Sequence, residues 1–183
     1  MELLDVVDEK NCLTGKVEDK EIIHKKGLCH REVAAWIMNN KGEILIQKRA
    51  KTKKQNPNKW GLVAGHIDAG ESVEDGMHRE ILEEIGVDIQ EFSKIKIVKK
   101  HEEHSNSNTF NNYFSYIFFA KVNYNLEDYK IQEEELSELK YITIEELETI
   151  IKNKDDNYTF SKRDYMPEIV KYLYKERKKL NNK

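Results

Sequence analysis

Apolar runs alternate with short polar turns through the first quarter of the chain. Between residues 2 and 17, two apolar runs separated by polar residues predict a strand, a turn and a second strand. A longer apolar run at Val33–Met38 is followed by the polar turn 39–42, after which apolar residues resume at Ile44. This second segment, residues 28–49, predicts a β-hairpin.

The clearest helical pattern lies between Ser72 and Gly86. Ser72 can cap the first turn together with Asp75, three residues later, and Gly86 supplies a left-handed stop at the other end. Between these two signals apolar residues recur every four positions, at Val73, Met77, Ile81 and Ile85. This spacing predicts one apolar stripe that packs into a core and leaves the remaining surface to solvent or to a site.

The rest of the chain predicts further strands and helices. The polar segment 101–109 predicts a connection between two strands, and Thr143 and Glu146 have the spacing of a capping box at the start of a helix. The predicted segments are strands at residues 61–64, 95–98, 113–122 and 139–142, and helices at residues 143–152 and 167–180. We therefore expect one mixed α/β domain over residues 1–183, with residues 1–27 as an N-terminal β extension.

Composition and charge narrow the class of protein. Charged residues make up 36% of the 183 residues, but the net charge is only −3, so no overall basic character indicates a nucleic-acid partner. The N-terminus has neither a basic start nor an apolar run, and no stretch approaches the roughly 18 apolar residues that a membrane span requires. Cys12 and Cys29 are isolated, which is typical of a reducing compartment. We expect a soluble cytoplasmic protein with no membrane partner.

The surface of the predicted helix that faces away from the core is strongly acidic. Glu80 and Glu84 are four residues apart and Glu83 precedes Glu84, so their charges repel by a few tenths of a kcal/mol per pair, which Arg79 offsets only in part. A solvated surface helix is the ordinary explanation of such acids. A hard divalent cation such as Mg²⁺ would instead make the cluster favourable, because it binds carboxylate oxygens.

Residues 65–87 resemble the Nudix box. The pattern of that motif is Gly, five residues, Glu, seven residues, Arg-Glu, an aliphatic residue, any residue, Glu-Glu, any residue, Gly and an aliphatic residue. The chain matches each specified position, at Gly65, Glu71, Arg79, Glu80, Ile81, Glu83, Glu84, Gly86 and Val87. The resemblance implies a Nudix fold with a mixed central sheet sandwiched between helices, a small-molecule diphosphate substrate, and Mg²⁺ or Mn²⁺ as cofactor.

The resemblance also implies roles for single residues. These are metal-binding carboxylates at Glu80, Glu83 and Glu84, an orienting residue at Arg79, a further metal ligand at the Gly65 carbonyl, and loop support at Glu71. Nudix enzymes often place another carboxylate just before a strand such as the one predicted at 139–142. We take Glu135 as this residue, with Glu134 and Glu138 as its nearest competitors. Either Glu80 or Glu135 would accept the proton from the attacking water.

A basic loop precedes the motif. Residues 51–59 include four lysines and show no periodicity. These lysines either are solvated or attract phosphate, which point-charge lysines do well. We expect Arg49, Lys51, Lys53 and Lys54 to steer the substrate phosphates.

A second resemblance, over residues 20–90, is to the Nudix branch that contains type I isopentenyl-diphosphate isomerase. It rests on His24, Leu28, His30, Gln47-Lys48-Arg49-Ala50, Lys54, Pro57, Trp60, Gly65-His66 and Gly70-Glu71. In that isomerase, histidines at the places of His24, His30 and His66 bind a metal. Here the three histidines are either ligands of a zinc-like ion or hydrogen-bonded structural residues.

Three positions argue against isomerase activity. Ala64 stands where the isomerase has its acid–base cysteine, and alanine has no proton to give. Asn111 and Tyr113 stand where it has two glutamates. We therefore favour Mg²⁺-dependent hydrolysis of a nucleoside diphosphate linked to another group X, or of a related organic diphosphate. An isomerase-like enzyme and a non-catalytic nucleotide-binding domain are the alternatives.

Two further features keep alternatives open. The aromatic residues at 113–119 either fill a buried strand or include one or two that stack on a base. The acidic segment 133–148 and the basic C-terminus could pair between subunits, which makes a homodimer a candidate assembly.

Overall fold

The computed structural model describes residues 1–104 and 109–181. Its strands are β1 (Leu3–Val7), β2 (Leu13–Asp19), β3 (Cys29–Met38), β4 (Ile44–Arg49), β5 (Trp60–Gly61), β6 (Val63–His66), β7 (Ser93–His104), β8 (Thr109–Lys121) and β9 (Leu136–Ile142). Its α-helices are α1 (Lys20–Lys26), α2 (Val73–Ile85), α3 (Ile144–Asn153) and α4 (Met166–Asn181), and a 3₁₀ helix spans Leu126–Asp128. Within this part of the chain, no helix is long and apolar enough to cross a membrane.

The chain divides into two compact units, each built from three segments. The first unit contains residues 1–35, 64–80 and 92–119, and the second contains residues 36–63, 81–91 and the segment from residue 120. Strand β3 and helix α2 each begin in the first unit and end in the second. Strands β1 and β2 form a sheet of their own. The other strands have the order β5-β4-β3-β8-β7, with β6 beside β3 and β9 beside β4.

Most predicted elements are confirmed. The two predicted hairpins are β1–β2 and β3–β4, and the predicted helices at 143–152 and 167–180 are α3 and α4. The predicted strand at 61–64 is wrong in one respect, because it is two short strands separated by Leu62. The Leu62 carbonyl accepts a hydrogen bond from the Gln47 side chain at 2.8 Å. That contact takes the carbonyl away from the strand ladder.

The first unit contains one helix that the apolar pattern did not predict. Helix α1 has only 7 residues, too few to display a helical period. Its signals are at its ends, where the Asp19 side chain caps the first turn and Gly27 adopts the left-handed conformation. Ile23 of this helix is fully buried with Leu4 and Val6 of β1.

Strands β7 and β8 are longer than predicted. They pair antiparallel from Ser93 opposite Phe119 to His104 opposite Thr109. The polar segment 101–109 is therefore strand as far as His104, and residues 105–108 lie outside the described part. Polar residues are tolerated here because one face of β7 meets solvent, where even Ile97 is 42% exposed. The aromatic residues at 113–119 of β8 are all buried, namely Tyr113, Phe114, Tyr116, Phe118 and Phe119.

In the second unit, β4 pairs antiparallel with the end of β3, with β5 and with β9. The capping box of α3 is confirmed, since Thr143 Oγ1 accepts a hydrogen bond from the Glu146 backbone N–H at 3.1 Å. Arg177 of α4 donates to both carboxylate oxygens of Glu145, at 3.0 and 2.7 Å. One acid–base contact that we considered between subunits is therefore made within the chain, and a homodimer stays a prediction.

Helix α2 has the predicted ends and the predicted buried stripe. The Asp75 backbone N–H donates to Ser72 Oγ at 3.1 Å. At the other end, the Gly86 N–H donates to the Leu82 carbonyl at 3.1 Å, and Gly86 has a φ of 68°. The fully buried side chains of the stripe are Met77, Ile81 and Ile85.

We expect Gly86→Ala to destabilise the fold more than Gly70→Ala. Both glycines have positive φ, but a Cβ at Gly86 would lie 2.8 Å from the Lys130 carbonyl oxygen, whereas a Cβ at Gly70 would meet nothing within 4 Å. Left-handed strain alone costs about 1 kcal/mol, and the backbone clash should raise the loss at Gly86 to about 2–3 kcal/mol. Urea unfolding measures both variants, and equal losses would contradict this explanation.

Candidate functional site

Arg79 is the centre of the polar contacts on α2 in the first unit. Its Nε and Nη2 donate to the two carboxylate oxygens of Glu71 at 2.9 Å each, a bidentate geometry. Its Nη1 donates to Glu80 Oε1 at 2.7 Å, and its Nη2 also donates to the His66 carbonyl at 2.9 Å. Hydrogen bonding to Glu71, followed by bonding to Glu80, raises the pKa of Arg79 above its usual range against the opposing effect of burial. Arg79 is therefore a permanent cation that holds two carboxylates.

Two further contacts fix these carboxylates in the first unit. Glu71 Oε2 accepts a hydrogen bond from the Asp68 backbone N–H at 3.0 Å, so Glu71 ties the loop after β6 to α2 through Arg79. Gly65 lies directly against Glu80, because a Cβ built at Gly65 would be 2.1 Å from Glu80 Cδ. Only glycine at this position lets the Glu80 carboxylate occupy its place.

In the second unit, α2 continues with one exposed and one buried glutamate. Glu83 is exposed, whereas Glu84 is only 4% exposed. Gln47 of β4 donates from Nε2 to Glu84 Oε2 at 2.9 Å. Glu80, Glu83 and Glu84 thus all belong to α2, and their role as metal ligands stays a prediction.

The structure pairs one of the two predicted proton acceptors, Glu135, with Lys53, which is predicted to steer phosphate. Lys53 Nζ donates to Glu135 Oε1 at 2.6 Å and also contacts Oε2. The Ala50 N–H donates to the Glu135 carbonyl at 2.8 Å, which fixes the backbone of the same residue. Arg49 Nε donates to the Gln55 carbonyl at 3.1 Å.

The other members of the basic loop and of the acidic segment are at the surface. Lys51 and Lys54 are exposed, and so are Glu134 and Glu138. Glu138 lies 3.6 Å from Lys48 Nζ. Glu134, Glu135 and Glu138 are the candidates for the further carboxylate. Glu135 contacts the basic loop, through Lys53. Its role in the reaction stays a prediction.

The three histidines converge in the first unit. His24, His30 and His66 each offer a ring nitrogen, and these atoms lie within 4.8 Å of one another. The ring centroids are 5.0 to 5.3 Å apart. His30 is fully buried and its Nε2 has no hydrogen-bond partner among the described residues.

The Nδ1 atoms of two of these histidines lie near oxygen atoms. His66 Nδ1 lies 2.9 Å from Glu2 Oε1, and His30 Nδ1 lies 3.5 Å from the Leu28 carbonyl. An Nδ1–H that donates to oxygen leaves Nε2 with a lone pair for a metal. Although burial opposes ionisation of Glu2, hydrogen bonds from His66 and Lys20 lower the pKa of its carboxyl to about 2.

The positions that differ from the isomerase also lie in the first unit. Ala64 is on β6, and Asn111 and Tyr113 are on β8. The Tyr113 ring is 5.9 Å from the His30 ring, and its hydroxyl donates to Glu102 Oε1 at 3.0 Å. A carboxylate of β7 thus reaches the phenol at this position, but no thiol is present at position 64.

Sequence reasoning missed Gln47, Glu2 and Glu102 as contributors to these clusters. Gln47 has little local signal, because it directly follows the apolar run of β4 and precedes two further polar residues, Lys48 and Arg49. Glu2 and Glu102 have none, since each looks like an ordinary strand acid. The partner of Glu2, His66, is 64 residues away in sequence, and the partner of Glu102, Tyr113, is 11 residues away on the paired strand.

The comparisons with known proteins identify the family to which the chain belongs. The family model of the NUDIX domain matches residues 29–167. The fold and the acidic helix thus define a member of the Nudix class of pyrophosphohydrolases. The chain belongs to the Nudix family, and the predicted Nudix fold is confirmed.

Relatives from two kinds of enzyme match most of the chain. A Clostridium acetobutylicum protein described as an uncharacterized Nudix hydrolase is 36% identical over 160 residues, which cover 85% of this chain and 76% of that one. Isopentenyl-diphosphate Delta-isomerase 2 of Photorhabdus laumondii is 31% identical over 159 residues, 86% of each chain. A crystal structure of a Deinococcus radiodurans protein has a TM-score of 0.68 at 21% identity, covering 94% of this chain and 99% of that one, and shows the same fold. The predicted branch is confirmed by these matches.

The free energy of unfolding of the metal-free protein should decrease as the pH falls, because buried His30 does not take up a proton readily. Burial, followed by repulsion from His66 and His24, lowers the pKa of His30 from 6.5 to about 3. Between these values the unfolded chain binds a proton that the folded chain excludes. The free energy of unfolding should therefore decrease as the pH falls from 6.5 towards 3, by at most about 1.4 kcal/mol per pH unit.

Urea unfolding at pH 7, 6 and 5 measures this effect. His30→Gln should flatten the pH dependence. His101→Gln changes an exposed histidine in the same way and should leave the wild-type slope. Identical slopes for the wild type and His30→Gln would show that His30 is not the titrating group.

Proposed function

We propose that the chain hydrolyses a diphosphate bond in a nucleoside diphosphate linked to another group X, with Mg²⁺ as cofactor and Mn²⁺ as a substitute. This proposal rests on the position of Glu80, whose carboxylate packs directly against Gly65 and accepts a hydrogen bond from Arg79. Its carboxylate is oriented before any ligand arrives. Such preorganisation is what a metal site requires of its ligands.

The donor set fits a hard cation. Glu80, Glu83, Glu84 and the Gly65 carbonyl supply only oxygen, which is the ligand type that Mg²⁺ takes, commonly together with substrate phosphates. When bound, the metal would draw charge off the diphosphate and lower the pKa of a coordinated water. The protein residues would hold this arrangement, because Arg79 fixes Glu80 and Gln47 fixes Glu84.

The two candidate proton acceptors are held by different kinds of cation. Glu80 is held by the planar guanidinium of Arg79, which is itself locked by Glu71. Glu135 is held by Lys53, a point charge on a flexible stem that can move to a phosphate oxygen. We therefore assign the ligand role to Glu80 and the general-base role to Glu135.

Two flexible cations support phosphate steering. Lys51 and Lys54 are exposed in the loop of the second unit that also contains Lys53. A lysine ammonium binds phosphate as a point charge without a fixed geometry. Such residues favour charged substrates without selecting the group X.

An isomerase-like reaction is less well supported. The similarity to the Photorhabdus isomerase favours it. Ala64 opposes it, because the position offers no proton donor. A binding domain without catalysis is opposed by the intact set of oriented carboxylates. Conversion of isopentenyl diphosphate to its allylic isomer would establish the isomerase alternative.

A panel assay with Mg²⁺ tests the proposal. Nucleoside di- and triphosphates, nucleotide sugars, dinucleotide cofactors, coenzyme A and isopentenyl diphosphate are offered, and phosphate-bond cleavage is measured. Glu83→Gln should lower kcat by about 100-fold or more, because it removes an exposed ligand of the metal, and even outer-shell partners are worth about 10- to 100-fold. Glu135→Gln should lower kcat but leave Mn²⁺ affinity unchanged.

Glu74→Gln is the matched control on the same helix. Glu74 is exposed in the first turn of α2, outside the group of ligands, and its replacement should leave cleavage unchanged. Full Mg²⁺-dependent turnover in Glu83→Gln would refute the site. Nucleotide binding without cleavage of any compound would favour the non-catalytic domain.

We also propose that His24, His30 and His66 bind a transition-metal ion. The convergence of their ring nitrogens within 4.8 Å favours this over three separate structural histidines. Ligand nitrogens of a tetrahedral zinc site are about 3.4 Å apart, so small ring rotations would close the site. The Glu2 carboxylate behind His66 has the position of an outer-shell partner that fixes the ring.

Cobalt titration tests this second site, because Co²⁺ bound in a tetrahedral site absorbs visible light strongly. We expect one equivalent of Co²⁺ to bind the wild type and to be displaced by Zn²⁺. His30→Asn and His24→Asn should each weaken binding at least tenfold, by analogy with outer-shell losses of about 10- to 100-fold. His101→Asn is the control. Absorption that survives in both cluster variants would place the ion elsewhere.

A further inference from the structure

Gln47 is a buried residue whose side-chain amide contacts Glu84 of the acidic helix α2. It lies on β4 and is 1% exposed. Its Nε2 donates to Glu84 Oε2 at 2.9 Å and to the Leu62 carbonyl at 2.8 Å. Both protons of the amide nitrogen are therefore used.

The orientation of the Gln47 amide is set by the two contacts of its nitrogen. Gln47 Oε1 is buried and has no hydrogen-bond partner among residues 1–104 and 109–181. A buried carbonyl without a partner costs about 1–3 kcal/mol. Turning the amide would place this oxygen against the Glu84 carboxylate and the Leu62 carbonyl, so that acceptor would face acceptor. The orientation is thus set by donation to Glu84 and Leu62, at the expense of Oε1.

The backbone of Glu84 is anchored as well. The Gln132 N–H donates to the Glu84 carbonyl at 3.2 Å, and the Lys130 N–H donates to the Ile85 carbonyl at 3.0 Å. The loop after the 3₁₀ helix therefore binds the last turn of α2. With the main chain fixed by this loop and the carboxylate fixed by Gln47, Glu84 has little remaining freedom.

We propose that Gln47 is a positioning residue that sets the metal affinity of the acidic helix through Glu84. This inference rests on the proposed function, because it takes Glu84 as a metal ligand. Gln47 occupies one lone pair of Oε2 and fixes the rotation of the carboxylate. Outer-shell hydrogen bonds of this kind orient metal ligands and reduce the ordering that binding requires.

The neutral charge of glutamine matters at this position. A lysine would neutralise Glu84 and compete with a cation for its charge. A leucine or methionine would fill the space without donating. A glutamine donates a hydrogen bond and leaves the negative charge of Glu84 to the metal. The amide is thus suited to orientation without electrostatic competition.

Mn²⁺ binding tests the inference without any assay of activity. Free Mn²⁺ is followed by electron paramagnetic resonance during titration of the wild type, Gln47→Met, Glu84→Gln and the double variant. Gln47→Met keeps the length of the side chain and removes the donor, and we expect it to raise the Kd for Mn²⁺ about tenfold. In the Glu84→Gln background the same change should have no further effect, because Gln47 acts through Glu84.

Gln90→Met makes the same chemical change at an exposed glutamine and should bind Mn²⁺ as the wild type does. Thermal unfolding verifies that each variant is folded, and Gln47→Leu repeats the test if Gln47→Met is not. Unchanged affinity in Gln47→Met, with weakened binding in Glu84→Gln, would overturn the role of Gln47 and leave the proposed function intact. An equal loss in both backgrounds would also overturn it, by showing a general structural effect. Unchanged affinity in Glu84→Gln would instead refute the metal site itself.

Discussion

The positive charge of Arg79 is the condition on which the acidic part of α2 depends. Glu71 and Glu80 would repel each other without it, and its planar fork of donors satisfies both while also binding the His66 carbonyl. A lysine could not replace it, because a single ammonium cannot span these acceptors. One side chain therefore fixes β6, the loop after it and the first half of α2 in the first unit.

The fold was predictable wherever local signals coincide. The capping box of α3 and the two ends of α2 each combine a polar cap or a glycine with a regular apolar period. Helix α1 lacks a period because it is one segment of 7 residues, although Asp19 and Gly27 mark its ends. The length of β7 was hidden because its solvent face carries polar residues that look like a connection.

The site was predictable only in part, and for a related reason. The residues from Gly65 to Glu84 are close in sequence, so their spacing along one loop and one helix could be recognised. The contacts between Lys53 and Glu135 join residues 82 positions apart, and those between Gln47 and Glu84 join residues 37 apart. No local pattern specifies such pairs, because they arise from strand pairing and loop packing. Resemblance named the three histidines, but only the fold brings their rings together.

The contact between Gly65 and Glu80 has a consequence for how this protein can vary. A methyl group at position 65 would meet the far end of the Glu80 side chain, which can swing away at the expense of its hydrogen bond to Arg79. The chain would then remain folded while Glu80, the proposed metal ligand, is displaced. A change at position 80 could not compensate, because it would remove the proposed metal ligand itself. Position 65 is therefore constrained by the proposed site rather than by the stability of the fold.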